Sequence, residues 1–150
     1  MQPEDLASDM ATLATEAVEQ ARAYGVELDF SENSLADLED ILDGVFQKIP
    51  PGVREALGKG ESDPTLLEHV MLWGSYFGEV ARRAFEGKWR PNPEPGGMPA
   101  LLIGNESLEP HARVFDHLIH GHLKRLTEYY LQVRERLMPP TADKLVSIKL

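Results

Sequence analysis

Four of the five histidines fall between residues 111 and 122: His111, His117, His120 and His122, with Glu109 and Asp116 beside them. On a helix His117 and His120 stand at i and i+3. That spacing brings two imidazoles to one face, where with a carboxylate they could hold a divalent metal. The bland alternative is a set of surface and boundary histidines, since no His-Glu-x-x-His pattern is present and His122 falls on an apolar stripe. Glu79 is the second candidate, with Arg82 at i+3 and Arg83 at i+4. It reads either as a helix ion pair or as a carboxylate–arginine pair lining a cleft beside Tyr76 and Trp89. The third candidate is a run of carboxylates, Asp37, Glu39, Asp40 and Asp43, which with Glu27 and Asp29 would offer an acidic surface to a basic partner. No catalytic set stands behind these candidates. The chain lacks cysteine, a Gly-x-Ser-x-Gly elbow, a phosphate loop and a dinucleotide fingerprint.

The elements that must position these groups are mostly helical. Leu6, Met10, Leu13, Ala17, Ala21 and Tyr24 recur at spacings of three and four, which predicts a helix over 4–24 that Gly25 ends. Val26 to Phe30 alternates apolar and acidic residues, the pattern of a short strand. A second helix is expected over 34–48, capped by Ser31 or Ser34, with its acidic residues facing away from Leu35, Leu38, Leu42 and Val45. Residues 50–63 read as a loop with one short turn around Val53–Leu57. Asp63-Pro64 then starts a third helix that is apolar nearly all round and therefore central, with Gly87 as its cap. Within it Gly74 and Gly78 cost about 1 kcal/mol each relative to alanine, which close approach of another backbone or a ligand groove would repay. Lys88–Arg90 and Ala100–Ile103 can pair as a long-looped hairpin, with 26–30 as a further strand. Pro110 opens the last helical region, divided by Gly121 into about 110–120 and 122–138.

The fold class predicted is α+β, mostly helical with four to five helices and a small antiparallel sheet of two to three strands. Residues 1–150 read as a single globular domain, with 91–99 as an internal Pro/Gly loop and 139–150 as an apolar C-terminal tail.

Charge decides between classes of partner. The chain carries 25 acidic against 15 basic residues, a net charge of −10. Nucleic acid and anionic membrane surfaces are disfavoured, because both reward Lys and Arg. Residues 1–75 hold 16 acidic and 4 basic side chains and residues 76–150 hold 9 and 11, so the acidity belongs to the first half. The absence of cysteine and of a signal-peptide pattern at the N-terminus points to a cytoplasmic chain.

The stretch Gly74-Ser-Tyr-Phe-Gly-Glu-Val-Ala-Arg-Arg-Ala-Phe-Glu-Gly-Lys-Trp89 resembles the signature of a small bacterial family of unknown function, in which a Gly-x-x-x-Gly-Glu helix runs into a Gly-x-Trp strand. Tyr24–Ser31, Ser34–Glu39 and Val114–Gly121 are similar to its flanking parts. The resemblance implies a small α+β domain and no catalytic residue. Here Ala-Phe-Glu-Gly replaces the Gly-Gly usual in that pattern, and the His-rich segment is foreign to it.

Together these readings favour a non-catalytic protein-binding module, immunity-like or inhibitory, with no cofactor and a basic protein partner. Its binding residues would come from Asp37, Asp40, Asp43, Glu79, Arg83 and Trp89. The alternative is a small-molecule or metal-dependent enzyme using Glu79, Arg83 and the histidines, with His117 and His120 as metal ligands. A homo-oligomer, assembled through the tail, is compatible with the first reading.

Overall fold

Helix α4, Pro64–Phe85, runs through the middle of the molecule, and the other elements are arranged around it. The computed structural model describes residues 3–94, 97–121 and 125–137. In chain order the elements are α1 (Pro3–Ala23), α2 (Ser34–Lys48), α3 (Pro51–Gly58), α4, β1 (Lys88–Arg90), β2 (Ala100–Ile103), β3 (Glu106–Leu108), α5 (Pro110–His120) and α6 (Leu126–Leu137). The class is α+β and mostly helical, with one helix more than expected among the described residues. The tail 139–150 and His122 lie outside the described residues.

Local chemistry explains the starts and stops. Proline occupies the first turn of α3, α4 and α5, where its missing N–H costs nothing. The Asp63 carboxylate accepts from the Thr65 and Leu66 amides at 2.9 and 3.2 Å, capping α4 as its sequence predicts. Ser31 rather than Ser34 serves the start of α2: its hydroxyl oxygen accepts from the Ser34 amide at 3.2 Å. The expected turn at 53–57 is a full eight-residue helix, because Pro51 fixes its first turn and Leu57 buries its end. At the end of α4 the left-handed residue is Glu86, φ 56, not Gly87. Gly87 is required for another reason: a Cβ there would stand 2.9 Å from Leu101.

The three strands form an antiparallel sheet in the order β1-β2-β3. Trp89 pairs with Leu101, and Leu101 in turn with Leu108, so these three buried side chains line up across the sheet. Strand β3 was not expected; Gly104, with φ 58, supplies the left-handed residue of its tight hairpin with β2. Val26–Phe30 is not a strand. It is an extended connection whose Leu28 is buried and whose two end amides, Val26 and Phe30, donate to the Ala21 carbonyl at 3.0 Å and to the Tyr76 hydroxyl at 2.9 Å instead of to a ladder. Tyr24, expected on the apolar stripe of α1, lies beyond the last turn and is 49% exposed.

Every residue of α4 from Trp73 to Ala81 is buried. It packs against α1 and α5 along most of its length, and α2 and β2 touch it too. Gly74 and Gly78 make this possible. A Cβ on Gly74 would stand 2.5 Å from the His111 ring and 2.9 Å from the His111 Cα, and one on Gly78 would overlap the Trp89 indole. The notch is filled by protein, and close approach is what repays the two glycines.

Gly78→Ala is therefore expected to lower unfolding free energy by at least ~2 kcal/mol through overpacking. Gly44→Ala, on a helix position with nothing near its Cβ, is expected to raise it by about 0.5–1 kcal/mol. Urea denaturation of both variants checks this pair; a Gly78→Ala protein as stable as the parent would contradict the packing.

Candidate functional site

Glu79 is 1% exposed, yet its charge is fully answered. Its Oε2 accepts from Arg82 Nε at 2.7 Å and from the Trp89 indole N–H at 2.9 Å, and its Oε1 from the second arm of Arg82 at 3.1 Å. The paired carboxylate in turn holds Arg82 more firmly protonated than usual. The i+3 arginine, not Arg83 at i+4, is thus the partner. These bonds clamp the last turns of α4 to β1 and engage both oxygens of the carboxylate with partners from the protein itself. Glu79, Arg82 and Trp89 form one wall of an open groove that Lys88 and Arg90 continue, with Glu4 and Ser8 of α1 opposite.

Arg83 and Tyr76 belong to a different cluster. The Arg83 guanidinium lies 3.7 Å above the Phe30 ring, and Phe30 stacks on Tyr76 at 4.9 Å. Phe30 has φ 64, an unusual conformation for an aromatic residue. The Tyr76 bond to its amide, the stack and the cation above it together offset that strain. Tyr76 also shares a 2.6 Å hydrogen bond with the buried Ser34 hydroxyl, and desolvation raises its phenol above the ordinary value. The cleft expected to unite Glu79, Arg83, Tyr76 and Trp89 is divided between these two clusters.

The carboxylates of α2 separate in the same way. Asp37 and Asp40 are exposed. Glu39 faces inward, accepting from Arg125 at 2.9 Å and from the Thr127 hydroxyl at 2.7 Å. Burial alone would raise its carboxyl, but the Thr127 hydroxyl and amide, aided by Arg125, outweigh that and hold it below the usual range. Asp43 is half-buried and accepts from the His117 Nε2–H at 2.7 Å. It ties α2 to α5 instead of contributing to a free surface.

His117 is fully buried on Asp43, whereas His120 is exposed, so the pair does not converge. Among the described residues no group of three or more His, Asp or Glu side chains gathers to hold a metal ion. His111 is 0% exposed and sits in the Gly74 notch. Ser75 gives its proton to the Met71 carbonyl at 2.6 Å, so its oxygen accepts from His111 Nε2–H at 3.1 Å. The Nδ1 atoms of both His111 and His117 are buried without a partner among the described residues.

The outward side of α1 was not singled out by motif, yet Glu4, Asp5, Asp9, Glu16 and Glu19 are all exposed there. The first cation of the helix is Arg22, which pairs with Glu27 at 3.3 Å. The signal available in the sequence was the absence of any Lys or Arg before residue 22. Among the described residues no helix is long and apolar enough to cross a membrane. In comparisons with known proteins, no family model, no curated protein and no solved structure matches the chain.

Desolvation lowers His111 to about 4 from the ordinary 6.5. Its folded pKa is depressed, so the unfolded chain binds the extra proton between these values, and the stability it confers is present above pH 6.5 and lost as pH falls towards 4. The loss amounts to about 3 kcal/mol. Urea unfolding between pH 7 and 4 should show a steep decline in the parent and a shallower one in His111→Gln; equal slopes would contradict the burial of a neutral imidazole.

Proposed function

We propose that the protein is a non-catalytic binding module, immunity-like or inhibitory in manner, that presents an acidic surface to a basic protein partner in the cytoplasm. The observation that carries this reading is the charge of α1: five exposed carboxylates, Glu4, Asp5, Asp9, Glu16 and Glu19, with no cation among them. Asp37 and Asp40 on α2 extend the acidic character to a second helix. Charges of one sign accelerate encounter with a partner of the other and are weakened by salt.

The enzymatic alternative needs Glu79, Arg83 and the histidines to converge. Instead Glu79 bonds Arg82 and Trp89, Arg83 covers Phe30, and His117 bonds Asp43. Each is committed to holding elements together, which favours the binding reading. The resemblance of Gly74–Trp89 to a bacterial family of unknown function adds membership as part of the proposal but no activity.

Capture of a partner from cell lysate by the immobilised protein tests the surface. Capture is expected to fall about tenfold on moving from low to moderate salt and on the double change Asp9→Lys with Glu16→Lys. Glu135→Lys on the exposed side of α6 should leave it unchanged. Capture indifferent to both salt and the α1 reversal would contradict the proposal.

A further inference from the structure

A pocket of about 260 Å³ lies where the last turn of α2, the helix α3 and the first turns of α4 meet. At ~30 Å³ for each water it would hold the volume of roughly eight to nine waters. Val45, Ile49, Val53, Leu57 and Leu66 form its walls, with the exposed Tyr24 at its rim. None of the acidic residues of α1 takes part, so the site is independent of the proposed binding surface.

Lys48, Asp63, Thr65 and His69 bring polar groups to this apolar setting. Lys48 holds its ammonium 5.8 Å from the Tyr24 ring centre, and among the described residues no carboxylate pairs with it. His69 accepts from the Trp73 indole N–H through Nδ1 at 3.2 Å. That bond places the proton of a neutral imidazole on Nε2. Burial keeps the ring below the ordinary imidazole value; Glu68 opposes this and the charge of Lys48 adds to it. The pocket thus has an unpaired cation and an oriented N–H beside a hydrocarbon wall. Asp63 also lines it, but its carboxylate is engaged by the Thr65 and Leu66 amides. Its charge would repel a second anionic group.

We infer that this pocket binds a small monocarboxylate with an apolar chain. The chain lies among Val45, Ile49, Val53 and Leu57, and the carboxylate accepts from Lys48 Nζ and His69 Nε2–H. A neutral ligand forfeits the ion pair, and a dicarboxylate meets Asp63.

Octanoate and octan-1-ol, which share an apolar chain and differ in the head group, are the probes. Calorimetric titration and amide NMR shifts on the whole chain are the readouts. Octanoate is expected to saturate with a Kd of about 1 mM or tighter, with shifts centred on Tyr24, Lys48, Val53 and His69, and octan-1-ol to bind at least about fivefold more weakly. Lys48→Met should weaken octanoate about fivefold at unchanged melting temperature, and Val53→Trp should fill the pocket and abolish binding. The inference is overturned if octanoate does not saturate, if the two probes bind equally, if the shifts centre elsewhere, or if Lys48→Met binds octanoate as the parent does.

Discussion

Trp89 and the first turn of α5 lie against the backbone of α4 at a separation that one methyl group would violate. From that contact at Gly74 and Gly78 most of the architecture follows. With Trp89 seated over Gly78, β1 must run beside α4, and β2 and β3 take their places by ladder pairing. With His111 in the Gly74 notch, α5 is set close enough to α4 for Val114 and Leu118 to be fully buried. The apolar area gained by burying an indole and these aliphatic side chains outweighs the helix propensity lost at two glycines. The same closeness strips water from His111 and Glu79, which accounts for the neutral imidazole and for the three hydrogen bonds on one carboxylate.

Buried charge in this molecule acts as fastening. Glu79 joins α4 to β1 through Trp89, Glu39 joins α2 to the start of α6 through Thr127 and Arg125, and Asp43 joins α2 to α5 through His117. Tyr130 likewise donates to Glu32 ahead of α2, and burial, with Glu32, raises its phenol above the ordinary value. The last three bridge elements distant in sequence, and removing one partner of any fastening would leave the other desolvated and unpaired. The acidic total of the chain therefore overstates what is free to meet a partner, and α1 is distinguished by carrying its exposed carboxylates with no cation among them.

Much of this was legible beforehand. The limits of α2, the Asp63 cap, the centrality of α4 and the break at Gly121 all rest on local periodicity and backbone chemistry, which sequence records directly. What escaped has nonlocal causes. Val26–Phe30 alternates like a strand, but the Tyr76 hydroxyl reaches its backbone from 46 residues away and among the described residues no strand pairs with it. Glu39 follows Leu38 and stands four residues after Leu35, on the edge of the buried stripe, yet its acidic type argued for solvent; Arg125 and Thr127 reverse that argument. Choosing between Arg82 and Arg83 for Glu79 depended on where Phe30 lies, which spacing along α4 cannot reveal.

The central claim is that the carboxylates fall into two populations, an outward one that includes the row on α1 and an inward one that fastens the fold. Carbodiimide labelling of carboxyl groups in the native protein, read residue by residue by mass spectrometry, measures that division directly. Glu4, Asp5, Asp9, Glu16 and Glu19 should label rapidly, and Glu39 and Glu79 only as fast as the protein unfolds. Labelling of Glu79 and Glu39 at the rate of the α1 residues would contradict the account.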